Sequence, residues 1–375
     1  MSSTEKTQSR SEALRSVRTV VVKLGTQLLS EAGGRIDLAF LQSIARQAIG
    51  LLDQGVKLTI VSSGAIGCGM AELGLTARPT DLGKLQAVAA IGQRRLMDAW
   101  ADAFGQTPVA QILLTREDID DRRRFLNLRN TIAAVHELGG VPIVNENDTV
   151  STAELVKITF GDNDILGALV AHALRADLLV LLTVVDGLQG EGGNPLRRVE
   201  DLDGVLQHVR AEKSPRGKGG MDSKLSAARM LMDAGEAMIV AHGRDAEILP
   251  RLLAGEELGT LFQASGAKKR SARSRWIGAV SPAGTITVDA GAKRALAEQN
   301  RSLLPAGIVK ASGAFERGDV VRIEDEAGVA IARGLSNYSA DDLQRIRGKK
   351  TAAVRELLAE AAYDEAVHRD NLVLE

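Results

Sequence analysis

The sequence contains little cysteine and few aromatic residues. Cys68 is the single cysteine among 375 residues, so an intrachain disulfide and a four-cysteine zinc site are both excluded. Only 3% of the residues are aromatic, which disfavours a stacking platform for single-stranded nucleic acid. The five histidines are dispersed, and no two of them form a metal-ligand pair at helical spacing.

The sequence also lacks a long apolar run and an excess of one charge. No apolar stretch approaches the ~20 residues that a membrane helix needs. The net charge is −1, so the basic footprint of a nucleic-acid-binding chain is absent. Residues 1–18 are polar and have no apolar signal core, and we predict that they form a disordered extension. The expected location is the cytoplasm.

Residues 19–265 alternate between short apolar strands and amphipathic helices. Because the strands read as continuous apolar runs, we expect a mostly parallel α/β sheet covered by helices on both faces. The predicted strands are residues 20–22, 57–61, 109–114, 141–144, 178–183 and 237–241. Ligands bind beyond the carboxyl ends of the strands in such sheets. Polar and glycine-rich segments follow several of these strands, and this edge is therefore the predicted site.

The pattern changes after residue 265. Residues 266–275 are rich in basic and small residues and predict a linker. Residues 276–375 contain short strands with turn signals and a helical segment at about 340–361. We expect a small α+β or barrel-like module there.

Two lysines stand in surroundings that suit a phosphate group. Lys23 ends the first strand and is followed by Gly25, whose backbone amide can approach an anion. Lys224 follows two glycines, Gly219 and Gly220, at the predicted start of a helix. Taken singly, the Lys23 motif is more typical of a surface lysine. The Lys224 motif is equally compatible with a plain loop that carries a solvated lysine.

Three further segments supply polar groups at the same predicted edge. Residues 62–67 open a helix, residues 145–148 follow a buried strand, and residues 161–164 form an acidic turn. Helix capping is the simple structural explanation for each of them. Two carboxylates beside a polyphosphate would repel it unless cations intervene, however, and Lys23, Lys224 and Mg²⁺ could supply the positive charge.

Together these motifs resemble the amino acid kinase family, and within it the members that phosphorylate glutamate and carry a C-terminal PUA module. The resemblance runs from about residue 18 to the end of the chain. The matching segments are residues 22–26, 62–66, 114–118, 124–127, 145–148, 161–164, 219–224 and 275–277.

The resemblance implies a role for each matching residue. The catalytic group would be Lys23, Lys224 and Asp164, with the carboxylate orienting the lysines. The substrate-binding group would be Ser63, Asn147, Asp148 and Asn163. The nucleotide-binding group would be Lys23, Thr183, Val184, Lys218, Gly219, Gly220, Met221, Asp222, Ser223 and Lys224. No side chain is assigned to a metal, and Mg²⁺ is expected to arrive with ATP.

The activity that the resemblance implies is ATP-dependent phosphorylation of the γ-carboxylate of L-glutamate, the first step towards proline. It also implies inhibition by proline, a glutamyl phosphate reductase as partner and a homo-oligomer. The chain departs from the family pattern in three places. Val184 replaces an aspartate, Lys218 replaces a frequent threonine, and the stretch 148–161 is a few residues longer.

Two alternatives remain open from the sequence. One is a related kinase that acts on another acid, such as aspartate or N-acetylglutamate. The other is an RNA-binding or regulatory role of the PUA-like module, which the basic segment 268–275 suggests and the near-zero net charge disfavours.

Overall fold

An eight-stranded sheet organises the first of the two units into which the chain divides, Met1–Lys269 and Arg270–Glu375. The structure is a computed structural model, and it describes residues 10–31, 35–151, 163–190, 194–205, 218–264, 272–358 and 363–375. No helix within these ranges is both long and apolar enough to cross a membrane.

The sheet of the first unit is mostly parallel, as predicted. Its strands are β1 (Thr19–Leu24), β2 (Lys57–Val61), β3 (Val109–Leu114), β4 (Val141–Glu146), β5 (Leu178–Thr183), β6 (Arg198–Val199), β7 (Ala237–His242) and β8 (Thr260–Phe262). Their spatial order is β3-β4-β2-β1-β5-β7-β8-β6. Only the β7–β8 pair is antiparallel. The carboxyl ends of the central strands therefore meet at one edge.

Helices accompany this sheet, and their ends follow local sequence signals. They are α1 (Arg10–Leu14), α2 (Thr26–Leu29), α3 (Leu38–Leu52), α4 (Ala65–Glu72), α5 (Leu82–Phe104), α6 (Arg116–Asp120), α7 (Arg122–Glu137), α8 (Asn163–Leu174), α9 (Lys218–Asp233) and α10 (Ile248–Leu253). Asp37 caps α3, because its Oδ1 accepts from the amide of Phe40 at 2.9 Å. The apolar faces of β1 and α3 enter one large core.

The prediction of a disordered extension is wrong for residues 10–18. Helix α1 occupies part of this segment, and Leu14 and Val17 are buried in the core of the first unit. The guanidinium of Arg10 donates to the carbonyl of Leu258 at 2.6 Å. Two apolar side chains at helical spacing were sufficient to anchor a segment whose overall composition is polar.

Helices α4 and α5 cross at unusually close range because glycines lie at the crossing. A Cβ on Gly92 of α5 would stand 1.8 Å from the carbonyl oxygen of Ala65 in α4. A Cβ on Gly69 of α4 would stand 1.9 Å from the carbonyl oxygen of Val88 in α5. The contact brings α5 against the residues that follow β2, and it fixes the position of Gln93, the residue after Gly92.

The second unit has its own sheet and core. Its strands are β9 (Gly284–Val288), β10 (Ile308–Gly313), β11 (Val320–Asp325), β12 (Ala330–Leu335) and β13 (Leu372–Leu374), in the order β10-β9-β11-β12-β13. Its helices are α11 (Ala272–Ala279), α12 (Ala290–Ala297), α13 (Ala340–Ile346) and α14 (Thr351–Leu357). The predicted α+β module is thus present, with an apolar core of its own.

Two details of the second unit differ from expectation. Residues 272–275 of the predicted linker lie in α11, where Arg275 is buried beside Trp276 and Ile277. The predicted terminal helical segment is two helices, which Gly348 separates with a φ of 71°. A positive φ ends a right-handed helix, and glycine adopts it without strain.

We predict that Gly92→Ala destabilises the protein by at least about 1–3 kcal/mol, because the added methyl group forces α4 and α5 apart. Urea unfolding measures the loss. Gly83→Ala in the same helix is the matched control, since the atom nearest its Cβ is Asp81 Oδ1 at 3.6 Å. Equal unfolding free energies for the two variants would contradict the close crossing.

Candidate active site

A buried carboxylate lies between two lysines at the carboxyl edge of the first sheet. Asp164 Oδ1 is 2.5 Å from Lys23 Nζ, and Asp164 Oδ2 is 2.9 Å from Lys224 Nζ. Ser223 Oγ donates to Oδ2 at 3.0 Å. The three charged residues come from β1, α8 and α9, which are distant in sequence. The fold therefore assembles one cluster from three separate motifs.

Among the described residues, the cluster joins two lysines through one aspartate. All three side chains are buried, with residue exposures of 2% for Lys23, 0% for Asp164 and 7% for Lys224. Taking charges out of water is costly unless they are paired, and Asp164 pairs with both ammonium groups. Lysine ammonium groups are suited to contacts with the oxygens of a phosphate group.

The surroundings of Asp164 keep its carboxyl ionised. Burial by itself raises the pKa of this carboxyl, but the charges of Lys23 and Lys224 and their hydrogen bonds lower it. The lowering prevails, and the pKa of Asp164 lies below its ordinary value. The carboxylate therefore remains a fixed negative charge that holds both ammonium groups at neutral pH.

The residue before Asp164 connects a second set of polar groups. Asn163 Nδ2 points to the carbonyl oxygen of Ser62 at 2.8 Å, to Ser63 Oγ at 2.7 Å and to Asn145 Oδ1 at 3.1 Å. A carbonyl oxygen can only accept, so this contact identifies the amide nitrogen of Asn163. Its Oδ1 lies on the other side of the amide group, where it can accept a hydrogen bond.

Hydrogen bonds at the end of β2 and from α5 support this polar network. The indole of Trp100, which is fully buried, donates to Ser62 Oγ at 3.2 Å. The amide of Ser62 donates to the carbonyl of Val144 at 2.8 Å, which continues the β2–β4 pairing to the site. These bonds hold the backbone on which Ser63 and Asn163 meet.

A cavity of about 350 Å³ adjoins the network on the side of α5. Gln93 lies in its wall and accepts a hydrogen bond from Asn145 Nδ2 at 2.9 Å. Asn147 and Asp148, both predicted to bind substrate, also line the cavity. The amide of Asn147 donates to the carbonyl of Leu114 at 2.8 Å, which holds this turn against β3.

The residues predicted to bind nucleotide lie at two places. Thr183 ends β5, and its carbonyl accepts from the amide of Gly243 at 2.8 Å, whereas the following Val184 is 44% exposed. The segment 218–224 lies within α9 and not in a loop before it, because α9 begins at Lys218. Met221 is half-buried and Asp222 is exposed. Gly161 and Asp162, also singled out in the sequence, fall outside the described residues.

No group of three or more histidine, cysteine, aspartate or glutamate side chains that could hold a metal occurs in the part of the chain that the structure describes. The charged groups that the described residues bring together in the cluster are the ammonium groups of Lys23 and Lys224 and the carboxylate of Asp164.

Sequence reasoning did not identify Trp100 or Gln93 as members of the site, and it gave Ser62, within the predicted segment 62–67, no role of its own. A signal for Gln93 was present, since it is a polar residue within the apolar stripe of α5. The importance of Ser62 and Trp100 rests on a hydrogen bond between β2 and α5, which no local pattern predicts.

The first unit is an α/β fold in which a lysine–aspartate–lysine cluster lies at the carboxyl ends of the parallel strands. The model of the amino acid kinase family matches residues 18–242, and that of the PUA domain matches residues 284–358. The chain belongs to the amino acid kinase family, and its second unit contains a PUA domain. The resemblance seen in the sequence is confirmed.

Curated relatives match nearly the whole chain. The glutamate 5-kinase of Synechococcus sp. strain JA-2-3B'a(2-13) is 46% identical over 95% of this chain and 98% of its own. The glutamate 5-kinase of Pseudomonas putida strain W619 is 44% identical over 94% of this chain and 97% of its own. Among solved structures, the carbamate kinase of Giardia lamblia covers 67% of this chain and 99% of its own, with 16% identity and a TM-score of 0.49.

We predict that Lys224→Ala lowers kcat by about 10²–10³-fold, the loss typical of one preorganised donor. Ser226→Ala is the matched control, because Ser226 is exposed on the same helix. The measurement is steady-state ADP release at saturating substrates. Near-normal turnover in the Lys224 variant would remove this lysine from the catalytic group.

We predict that Asp164→Asn destabilises the protein by about 3–5 kcal/mol at pH 7, because it leaves two buried lysines without their counter-charge. The folded-state pKa of Asp164 is lowered, so its stabilising contribution is fully present above the ordinary carboxyl pKa of ~3.9. The contribution is lost as the pH falls through the lowered value. Urea unfolding should therefore show that the difference in unfolding free energy between the variant and the parent protein becomes smaller as the pH falls.

The control for this pH dependence is Asp102→Asn, which alters an exposed carboxylate on α5. Its unfolding free energy should differ little from that of the parent protein at any pH. The difference in unfolding free energy between Asp164→Asn and the parent protein could instead stay constant down to pH 3. That result would contradict the ionised state assigned to Asp164.

Proposed function

We propose that this protein transfers the γ-phosphoryl group of ATP to the γ-carboxylate of L-glutamate, giving L-glutamyl 5-phosphate and ADP as the first step of proline biosynthesis. The support is twofold. The amino acid kinase family implies ATP as phosphoryl donor. Relatives that match 94–97% of this chain are named glutamate 5-kinase.

The observation that carries the proposal is the pairing of Asn163 with Asp164 at the start of α8. Asp164 holds the two lysines, and Asn163 holds the polar network at Ser63 and Asn145. Because the two residues are consecutive, a phosphate bound by the lysines would lie next to a ligand bound by the network. Such adjacency is what a transfer reaction between two bound substrates requires.

The chemistry needs positioning and charge more than it needs acid–base catalysis. A glutamate side chain has an ordinary pKa of ~4.3, so its γ-carboxylate is already the nucleophile at neutral pH. One carboxylate oxygen forms a bond to the γ-phosphorus while the bond from that phosphorus to the bridging oxygen of ADP breaks. The electron pair of the broken bond remains on ADP, and Lys23 and Lys224 would stabilise the negative charge that accumulates.

Mg²⁺ belongs to this proposal as a companion of ATP. When bound, it would neutralise charge on the phosphate oxygens. We propose that this cation would be held mainly by the nucleotide. Thr183, Val184 and residues 218–224 are proposed to contact the nucleotide, Val184 through its backbone.

Further parts of the proposal follow from the chemistry of the product. An acyl phosphate hydrolyses readily, so we expect a reductase that consumes glutamyl phosphate to act next and in the same compartment, the cytoplasm, where ATP is supplied.

Inhibition by proline and assembly into a homo-oligomer are also proposed. A regulatory RNA-binding role for the PUA domain is the second candidate function, and salt-dependent RNA binding would support it.

The decisive experiment is ADP release by the purified protein with a panel of acids. We expect turnover with L-glutamate and little with L-aspartate or N-acetyl-L-glutamate, and we expect proline to inhibit it. Preferred turnover with either of the other acids would replace the proposed substrate, and absence of ATP-dependent turnover with all three would refute the proposed activity.

We predict that Asp148→Ala raises KM for glutamate at least tenfold while KM for ATP changes little. The carboxylate of Asp148 lines the cavity next to the polar network, where it can pair with the substrate ammonium group. Asp53→Asn changes an exposed carboxylate outside the site and should leave both constants unchanged. An equal rise in both KM values for Asp148→Ala would remove this residue from the substrate site.

A further inference from the structure

One buried hydrogen-bond donor at the edge of the site has no acceptor. Gln93 is 92% buried, and its Nε2 finds no hydrogen-bond partner among the described residues. A buried amide nitrogen without an acceptor destabilises the folded protein. Buried polar groups are otherwise nearly always satisfied, and an exception beside a cavity indicates a ligand that supplies the missing partner.

The orientation of the Gln93 amide follows from a chain of contacts that begins at the backbone. The amide of Glu146 can only donate, and it donates to Asn145 Oδ1 at 2.9 Å. The other end of the Asn145 side chain is therefore its NH₂ group, which lies 2.9 Å from Gln93. Because that NH₂ group needs an acceptor, Gln93 turns its Oε1 to Asn145, and its own NH₂ group is the end without a partner.

The cavity next to Gln93 fits the amino acid end of a substrate. Its volume of about 350 Å³ lies within the ~300–1,000 Å³ range of small-molecule pockets. Asp148 in its wall offers a negative charge for an ammonium group. The NH₂ group of Gln93 has two hydrogens that a carboxylate can accept, and the hydrogen bond from Asn145 orients this side chain.

Arg94 is the competing group for a carboxylate in the same cavity. Its side chain is 77% exposed and lies 3.6 Å from Asp98, its neighbour one turn later on α5. An exposed and flexible cation selects between ligands less strongly than a buried amide does, because water competes for it.

We propose that Gln93 is a specificity-determining residue whose Nε2 donates to the α-carboxylate of the amino acid substrate. The inference rests on the proposed phosphorylation of glutamate. It assigns the two ends of that substrate: the γ-carboxylate lies towards Lys23 and Lys224, and the α-carboxylate lies towards α5. Gln93 would thereby recognise the α-carboxylate, the group that distinguishes the amino acid substrate from a simple carboxylic acid.

The test compares L-glutamate with 4-aminobutyrate, which has the same chain and ammonium group but no α-carboxylate. The dissociation constants of both compounds are measured by calorimetry with the full-length protein, and their ratio gives the discrimination. Gln93→Met, which keeps the length of the side chain, should weaken glutamate binding by about 10- to 100-fold and leave 4-aminobutyrate binding nearly unchanged. KM for ATP should not change.

A second variant separates ligand binding from structural damage. Gln93→Glu keeps an acceptor for Asn145 but places a negative charge where we infer the α-carboxylate. It should weaken glutamate binding at least as much as Gln93→Met does, and it should leave 4-aminobutyrate binding unchanged or tighter. Its circular dichroism and unfolding midpoint should match those of the parent protein.

Three outcomes would overturn the inference. Equal weakening of both compounds in the Gln93 variants would show that Gln93 acts only by supporting Asn145. Loss of discrimination in Arg94→Met, with discrimination retained in Gln93→Met, would assign the α-carboxylate to Arg94. Failure of the unaltered protein to bind or phosphorylate glutamate would refute the proposed function itself, and the inference with it.

Discussion

The site depends on the contact between one buried carboxylate and two buried lysines. Burial would raise the pKa of Asp164, but the charges of Lys23 and Lys224 keep it below its ordinary value, and the carboxylate pairs with both lysines. This contact joins β1, α8 and α9 at one point. In the proposed function, the two ammonium groups that meet there bind the polyphosphate.

The amino end of α8 serves two neighbouring functions with consecutive residues. Asp164 faces the lysines, while Asn163 is bonded to the backbone and side chains that follow β2 and to Asn145 of β4. The network continues through Asn145 to Gln93 on α5. Two binding regions are thus connected by hydrogen bonds, and each helix that borders the site contributes to holding both.

Local patterns were sufficient to predict the central strands of the first sheet. Strands such as β1 and β5 are continuous apolar runs because both of their faces are covered, so periodicity and composition agree. The short strands β6 and β8, at one side of the first sheet, and the strands β10 and β13 were not predicted. These strands are short or show no regular alternation of buried and exposed residues. Their pairing with distant strands stabilises them more than local propensity does.

The sequence by itself determined the class of fold, the edge of the sheet at which ligands bind and the motifs that carry charge. These features depend on residue type and on short-range order along the chain, and they are therefore readable without a structure. Only the tertiary structure decided which groups meet: Asp164 with both lysines, Asn163 with Ser63, and Gln93 with Asn145. Hydrogen bonds between elements far apart in sequence have no local signature, because their geometry depends on how helices and strands pack.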